Sequence, residues 1–197
     1  MPVLHLIAGP NGAGKTTLYR TLIAPRYPGL AFVNADDYET QHLQGENNPR
    51  RRSELARAWA DAARTALLAQ GEAFVTETVF SHPSKLELLA QARGHGFTTA
   101  LYVVCVDEPR LLLGRVRQRV QEGGHDVPPH KIITRYPRTL ALLHEALALA
   151  ELSLLFDGTD VGHGGPALVA SIAAGRMKLH TALRPRWVEK VLGFAES

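Results

Sequence analysis

Gly9-Pro10-Asn11-Gly12-Ala13-Gly14-Lys15-Thr16-Thr17 is the stretch of sequence that decides the fold. It matches the pattern GxxxxGK(S/T), and it lies between an apolar run, Val3–Ala8, and a segment with helical periodicity, Thr16–Leu22. A strand before the pattern and a helix after it are the context in which it forms a phosphate-binding loop. The sequence therefore predicts a nucleotide-binding loop at residues 9–17, called the cradle below.

The residue types in the cradle predict its ligands. Its glycines let the backbone curl so that successive N–H groups point at phosphate oxygens, and the positive end of the following helix adds to them. We expect Lys15 to contact the β and γ phosphates of ATP and the Thr16 hydroxyl to ligate magnesium. The predicted nucleotide-binding residues are Gly9, Pro10, Asn11, Gly12, Ala13, Gly14, Lys15, Thr16 and Thr17.

Short apolar runs alternate with helix-like segments along the chain. Strands are predicted at Val3–Ala8, Ala31–Asn34, Ala73–Thr76, Thr98–Val106, Ser153–Phe156 and Ala167–Ala173, and helices at Thr16–Leu22, Ser53–Gln70, Ser84–Arg93, Arg110–Gln121, Lys131–Leu152 and Pro185–Leu192. This alternation is typical of a parallel sheet with helices on both faces. We predict a three-layer α/β fold of the P-loop nucleotide kinase type, with a central, mainly parallel sheet and a mobile lid.

The length of the chain, 197 residues, is enough for one well-buried core. We expect a single domain over residues 1–197, with a lid region at about 115–138 and a C-terminal extension at about 157–197. Ser53 is predicted to cap the helix at Ser53–Gln70 and Gly71 to close it, Gly94 to close the next helix, and Asp107 to cap the helix that follows it. The glycine-rich segment Gly123–Pro129 reads as a mobile loop, and we predict that it closes over bound nucleotide.

Carboxylates follow two of the predicted strands. Asp36 and Asp37 come just after the second strand and Glu77 after the third, so all three lie at the sheet edge where open α/β sheets bind ligands. Asp36 is the predicted catalytic base, taking the proton of an acceptor hydroxyl or orienting the water shell of magnesium. The alternative is that Asp36 or Asp37 caps the next helix. Glu77 is predicted to contact substrate or the magnesium shell, with a plain surface glutamate as the alternative.

Arginines lie on both sides of the glycine-rich loop. Arg115 and Arg119 are four residues apart and share a helical face, and Arg135 and Arg138 follow the loop. We expect Arg119 and Arg135, the nearest to the loop, to stabilise charge on the transferred phosphoryl group. For Arg115 and Arg138 a structural role in helix pairing stays open.

Composition argues against several classes of function. A net charge of +3 is too small to indicate a nucleic-acid partner, and the nine histidines show no metal-ligand spacing that predicts zinc. No apolar stretch of roughly 20 residues predicts a membrane span, and no basic-then-apolar leader follows Met1, so we expect a cytoplasmic protein without a membrane partner. Cys105, the single cysteine, lies in an apolar run and is predicted to be a buried hydrophobe.

Four separated motifs resemble those of the zeta toxin family, particularly its short bacterial members, over about Val3 to Phe156. They are the cradle, Asn34-Ala35-Asp36, Glu77-Thr78-Val79, and Arg119 followed by Gly123-Gly124-His125-Asp126-Val127-Pro128 and Arg135-Tyr136. The resemblance implies a P-loop kinase with ATP and Mg²⁺ as cofactors. Its small-molecule substrate would be a nucleotide sugar such as UDP-N-acetylglucosamine, phosphorylated on the 3′-hydroxyl of the sugar, and an antitoxin protein is a further expected partner.

The resemblance also implies roles by position. It puts Lys15 and Thr16 on ATP and magnesium, Asp36 at the acceptor as the base, Glu77 and Thr78 in the substrate site, and Arg119 and Arg135 on the phosphates. Val79 departs from the pattern, because related sequences commonly carry threonine there. Valine offers no hydrogen bond to a sugar, so the identity of the acceptor stays open.

Other nucleotide-binding classes fit less well. ABC-transporter ATPases share GPNGAGKTTL, but they also need an LSGGQ-type motif and a strand that ends in Asp-Glu before a histidine switch; Asp107-Glu108 has no such motif upstream. GTPases need an NKxD segment, which is absent. A nucleotide-binding regulator or antitoxin partner without turnover of its own stays open as an alternative.

Overall fold

In the computed structural model of the chain, residues 1–124, 127–160, 164–182 and 184–193 are described. The strands are β1 Val3–Ala8, β2 Ala31–Val33, β3 Phe74–Thr78, β4 Thr98–Cys105, β5 Leu152–Asp157, β6 Ala167–Ala173 and β7 Arg176–Leu179. The helices are α1 Lys15–Leu18, the π-helical Tyr19–Ile23, α2 Ala24–Arg26, α3 Ala35–His42, α4 Pro49–Gln70, α5 Ser84–Gly94, α6 Pro109–Gln121, α7 Pro129–Leu149 and α8 Arg186–Leu192.

The strands form one sheet in the order β2-β3-β1-β4-β5-β6-β7. The first five strands in this order run parallel, whereas β6 and β7 are antiparallel to their neighbours. The carboxyl ends of parallel strands meet at one edge. Because β1 lies between β3 and β4, the cradle that follows β1 is flanked at this edge by the segments after those two strands. The predicted α/β fold with a mainly parallel sheet is confirmed.

Apolar side chains cover both faces of the sheet. On β1, Leu4 and Leu6 belong to one buried cluster and Ile7 to the other, as expected for alternating side chains in a strand buried on both sides. Trp187 of α8 is 1% exposed and belongs to the same cluster as Leu4. The C-terminal helix therefore packs into the core that supports β1 and the cradle.

The start of α4 differs from the prediction. The helix begins at Pro49, and the side chain of Asn48 caps it by accepting hydrogen bonds from the backbone N–H groups of Arg50 and Arg51. Asparagine at the cap followed by proline is a strong start, because proline lacks the N–H that would be left without a partner. Ser53 lies inside the helix, so its prediction as the N-cap was wrong.

Glycines in the left-handed conformation terminate two of the helices. Gly71 closes α4 in a left-handed conformation, with φ of 67°, as predicted. Helix α5 ends at Gly94, but the left-handed residue of its turn is Gly96, with φ of 77°. The glycine that reverses the chain is therefore two residues later than expected.

Asp107 caps a different helix from the one predicted. Its Oδ1 accepts the backbone N–H of Trp187 at 2.8 Å, in the first turn of α8, whereas α6 starts at Pro109 without a side-chain cap. The prediction that Asp107 caps the next helix in the chain was wrong, because the tail brings an unsatisfied N–H to this carboxylate.

The remaining differences concern boundaries and the tail. Helix α7 starts at Pro129 and ends at Leu149, earlier at both ends than the predicted Lys131–Leu152. Strand β7 was not predicted; it pairs with β6, and its four residues are exposed. Within the described part of the chain, no helix is long and apolar enough to cross a membrane.

Candidate functional site

The cradle has the curled backbone that its glycines allow. Gly9, Gly12 and Gly14 have φ values of 151°, 80° and 103°, which side chains rarely permit. A Cβ on Gly9 would lie 2.0 Å from the carbonyl oxygen of Val104. Lys15 is 6% exposed, and its ammonium group donates to the carbonyl oxygen of Pro10 at 3.1 Å. The Lys15 side chain thus folds back over the cradle, and its ammonium group lies where the bound phosphates are predicted.

Glu77 at the end of β3 contacts the cradle directly. Its Oε2 accepts hydrogen bonds from the Thr16 hydroxyl at 2.9 Å and the Asn34 amide at 3.3 Å. Its Oε1 lies 3.7 Å from the Lys15 ammonium, and the side chain is 9% exposed. The alternative that Glu77 is a plain surface glutamate was therefore wrong.

Burial dominates the electrostatics of this carboxylate. It raises the pKa of Glu77 above its ordinary value, although the Lys15 charge and the Thr16 hydrogen bond act in the opposite direction. A hydroxyl and a carboxylate side by side are hard oxygen donors of the kind that magnesium or its bound waters contact. The residues at this position therefore fit a magnesium ion. Among the described residues, no group of three or more His, Cys, Asp or Glu side chains is arranged to hold a metal ion.

Asp36 and Asp37 lie in the first turn of α3. The helix is capped by Asn34, whose side chain accepts the backbone N–H of Asp36 at 2.9 Å, so the alternative that either aspartate is the cap was wrong. The Asp36 carboxylate is 40% exposed, and its Oδ2 lies 3.8 Å from Nη1 of Arg119. Burial raises the pKa of Asp37, against the opposing charge of Arg20.

Arg115 and Arg119, two of the four arginines of α6, contact different partners. Arg119 faces Asp36, and Gly124 packs so closely on it that a Cβ there would lie 2.6 Å from the Arg119 Cγ. Arg115 donates to the carbonyl oxygens of Gly158 and Thr159, just after β5. It holds this connection in place, so its contact is structural but is made with a segment after a strand rather than with another helix.

A cleft of about 940 Å³ extends from the cradle towards α4 and α7. Asn11, Lys15, Asp36 and Glu77 line it on the cradle side. The cleft therefore brings the predicted base and the predicted phosphate-binding lysine to one space. It is large enough to hold a second small molecule beside the nucleotide.

The segment after Glu77 forms another wall of this cleft. Thr78 and Val79 line it, and the carbonyl oxygen of Val79 accepts the Thr139 hydroxyl at 3.3 Å. Phe80 is fully buried with φ of 59°, a sparsely populated conformation for a phenylalanine. Strained backbone that persists beside a cleft is often tied to a site, because the surroundings must hold it.

Both arginines of α7 lie in the same cleft. Arg135 and Arg138 line it together with Lys131, which sequence reasoning missed although the three are spaced i, i+4 and i+7. Burial lowers the pKa of Arg135, and the charges of Arg138 and then Arg57 lower it further. Arg57 of α4 was also missed, because no motif contains it.

The predicted mobile loop is partly described. Gly123 has φ of 86°, the Gly124 N–H bonds to the carbonyl oxygen of Arg119 at 2.9 Å, and Val127 is 5% exposed. His125 and Asp126 lie outside the described residues. Closure of Gly123–Pro129 over nucleotide stays a prediction.

Comparisons with known proteins agree with the fold. A family model described as an AAA domain matches residues 4–140. No curated protein matches the sequence. The solved complex AvrRxo1-ORF1:-ORF2 with ATP is similar at 19% sequence identity and a TM-score of 0.71, over 97% of this chain and 63% of that one. This chain thus spans less than two thirds of the AvrRxo1 chain.

A second similar structure belongs to the PezAT chromosomal toxin-antitoxin system of Streptococcus pneumoniae. It has 17% identity and a TM-score of 0.68, over 100% of this chain and 80% of that one. At such identities the likeness concerns the fold. It confirms the P-loop kinase-like fold that the resemblance to zeta toxins predicted.

Proposed function

The chain belongs to this AAA domain family, and from that premise we propose that it is an ATP-dependent kinase that transfers the γ-phosphate to a hydroxyl of a small molecule. The acceptor proposed is a nucleotide sugar of the UDP-N-acetylglucosamine type. The observation that carries the proposal is the cleft in which the cradle lysine, Lys15, and a partly exposed carboxylate, Asp36, lie together. A hydrolase needs only water beside the nucleotide, whereas a kinase needs room for an acceptor.

The side chains divide the work of phosphoryl transfer. The cradle amides and Lys15 hold the phosphates of ATP, with Thr17 at the start of the helix beside them. Thr16 would hold a magnesium ion with Glu77 on its water shell, and the bound ion supplies positive charge to the phosphates. This role for Glu77 rests on its hydrogen bond with Thr16.

The acceptor chemistry falls to Asp36. Its carboxylate takes the proton of the acceptor hydroxyl while the hydroxyl oxygen forms a bond to the γ-phosphorus and the bond from that phosphorus to the bridging β–γ oxygen breaks. ADP leaves with the bridging oxygen. Thr78 lines the cleft beside Glu77 and contacts the acceptor. Arg119, which lies 3.8 Å from the Asp36 carboxylate, stabilises charge on the transferred group.

The partner and the location follow from the same proposal. AvrRxo1-ORF1 with ORF2 and the PezAT system are both named as pairs of proteins, and this supports an antitoxin as a partner of this chain. ATP is the phosphate donor, so the reaction belongs in the cytoplasm.

Incubation with ATP, magnesium and a panel of nucleotide sugars tests the proposal. We expect a phosphorylated sugar and one ADP per product, and loss of the product in Lys15→Ala and in Asp36→Asn. Mass spectrometry identifies the product, and coupled ADP detection gives its ratio. ADP formed without any phosphorylated acceptor, or formed only with a partner protein, would favour an ATPase or a regulator instead.

A further inference from the structure

Helix α7 presents a row of positive charge to the cleft. Lys131, Arg135 and Arg138 are spaced i, i+4 and i+7, which puts them on one face of the helix, and all three line the cleft. Like charges at this spacing destabilise a helix by a few tenths of a kcal/mol per pair, about 0.2–0.5. The row therefore has an electrostatic cost in the absence of a compensating negative charge.

The carboxylates of the cleft do not supply that charge. Four of them line it, and each forms an ion pair with a cation outside the row. The pairs are Asp36 with Arg119, Glu39 with Arg52, Asp61 with Arg64, and Glu77 with Lys15.

Arg57 of α4 adds to the uncompensated positive charge in the cleft. It lines the cleft, and its Nε donates to the carbonyl oxygen of Ser53 rather than to a carboxylate. Within the described part of the chain, Arg57 and the α7 row form no ion pair, whereas the other five cations of the cleft do. The charges of Arg138 and Arg57 both act on Arg135 and lower its pKa, after burial. Positive groups from two helices thus converge on one part of the cleft.

We propose that Lys131, Arg135 and Arg138 of α7, together with Arg57 of α4, bind the phosphate groups of the acceptor. This inference rests on the proposed kinase function, since it assumes that an acceptor enters the cleft. Guanidinium groups bind phosphate oxygens in pairs of parallel hydrogen bonds, so the three arginines, together with the Lys131 ammonium group, suit a diphosphate. The role differs from that implied by the resemblance to zeta toxins, which puts Arg135 on the phosphates of ATP.

A consequence for specificity follows. If the acceptor is held by its phosphates at this end of the cleft, a neutral sugar or alcohol loses most of its binding. Val79, which offers no hydrogen bond to a sugar, is then tolerated because the affinity comes from charge. The acceptor class is therefore an anionic, phosphate-bearing compound.

Two sources of phosphate must be distinguished, the acceptor and ATP itself. Titration calorimetry on the full chain does this when the cradle is first saturated with β,γ-methylene-ATP and magnesium. UDP or inorganic pyrophosphate is then titrated into the loaded protein. We expect Arg57→Gln and Arg138→Gln each to weaken binding of both probes about tenfold, as for the loss of one charge-assisted hydrogen-bonding group. The affinity of both variants for β,γ-methylene-ATP, titrated without UDP or pyrophosphate, should stay within about twofold of the wild-type value.

Arg117→Gln is the matched control. Arg117 lies on α6, is exposed and is outside the cleft, so its replacement should change neither affinity. Two results overturn the inference: loss of affinity for the ATP analogue with UDP binding unchanged, or no binding of UDP and pyrophosphate to the loaded wild-type protein. The titration needs no turnover, so it can succeed even if the kinase proposal fails. If probe binding depends on Arg57 and Arg138 but no phosphorylated product forms in the kinase assay, the anion-binding site is supported and the kinase function is rejected.

Discussion

The Asp36 carboxylate and the Arg119 guanidinium join α3 to α6, with Oδ2 of the aspartate 3.8 Å from Nη1 of the arginine. Both side chains are more than a third exposed, at 40% and 36%, so the pair contributes little to stability, about 0–1 kcal/mol. If Arg119 contacts the triphosphate as proposed, breaking this pair costs little free energy. We therefore expect the proposed base to become available when the phosphate donor binds.

Asp36→Asn tests the role of the base. The amide keeps the size of the side chain but cannot take a proton, so we expect kcat to fall by about 10²–10⁴. Affinity for β,γ-methylene-ATP should stay within about twofold, because in the described residues no hydrogen bond or ion pair links the Asp36 side chain to the cradle. Product assays and calorimetry measure the two effects. A variant that still phosphorylates its acceptor at the wild-type rate would remove Asp36 as the base.

Arg119→Gln tests the arginine of the pair. If Arg119 stabilises charge on the transferred phosphoryl group, its loss lowers kcat by about 10³ or more. The melting temperature should change little, since the ion pair is weak and partly exposed. Arg117→Gln, two residues away on the exposed side of the same helix, is the control and should keep wild-type kcat. Equal losses in the two variants would mean that the helix, rather than Arg119, matters.

The sequence was a good guide wherever local chemistry decides the structure. The cradle needs glycines at fixed positions, so Gly9 to Thr17 could be located from spacing alone. Strand order could not be predicted in this way, but the strand-to-helix context was sufficient to put Asp36 and Glu77 at the same edge as the cradle. Asn48 and Pro49 were a better helix start than Ser53, and the local pattern contained both residues.

Long-range contacts account for what the sequence did not reveal. Asp107 accepts a hydrogen bond from Trp187, 80 residues later in the chain, and no local pattern indicates that partner. The same holds for Arg57, which reaches the cleft only because α4 packs beside it. Arg115 binds the carbonyl oxygen of Gly158, so its structural role also depends on a distant segment.

Gly158→Ala tests whether the cradle depends on its close backbone contact with Gly158. A Cβ on Gly158 would lie 2.1 Å from the carbonyl oxygen of Ala13, a backbone atom of the cradle that cannot move aside like a flexible side chain. We expect the cradle to be displaced and the affinity for β,γ-methylene-ATP to fall at least tenfold, measured by calorimetry. Gly114→Ala is the control: nothing lies within 4 Å of its Cβ, and alanine stabilises a helix by about 1 kcal/mol relative to glycine. Unchanged affinity in Gly158→Ala would show that the cradle adapts.

Closure of Gly123–Pro129 is tested by hydrogen exchange. A kinase must exclude water from the γ-phosphate, so we expect amides of this segment to exchange about tenfold more slowly when β,γ-methylene-ATP and magnesium are bound. Amides of β7, an exposed strand outside the cleft, serve as the internal control and should not change. The lid is excluded if the exchange rates of both segments respond equally to the nucleotide.

The pH dependence of stability tests the balance of forces on Glu77. Its pKa is raised because burial outweighs the attraction of Lys15. The folded state therefore binds the Glu77 proton more tightly than the unfolded state, and the resulting stability is fully present below the ordinary pKa of 4.5 and is lost as pH rises through the raised pKa. Glu77→Gln has no such proton. We expect the free energy of unfolding of the wild type minus that of the variant to fall between pH 4.5 and 8, measured by urea denaturation without nucleotide. A difference that rises over this range would mean that the ion pair with Lys15 prevails over burial. At pH 8, magnesium and ADP should increase the free energy of unfolding of the wild type more than that of Glu77→Gln. The proposed role of Glu77 on the water shell of the ion favours its charged form, which only the wild type can adopt.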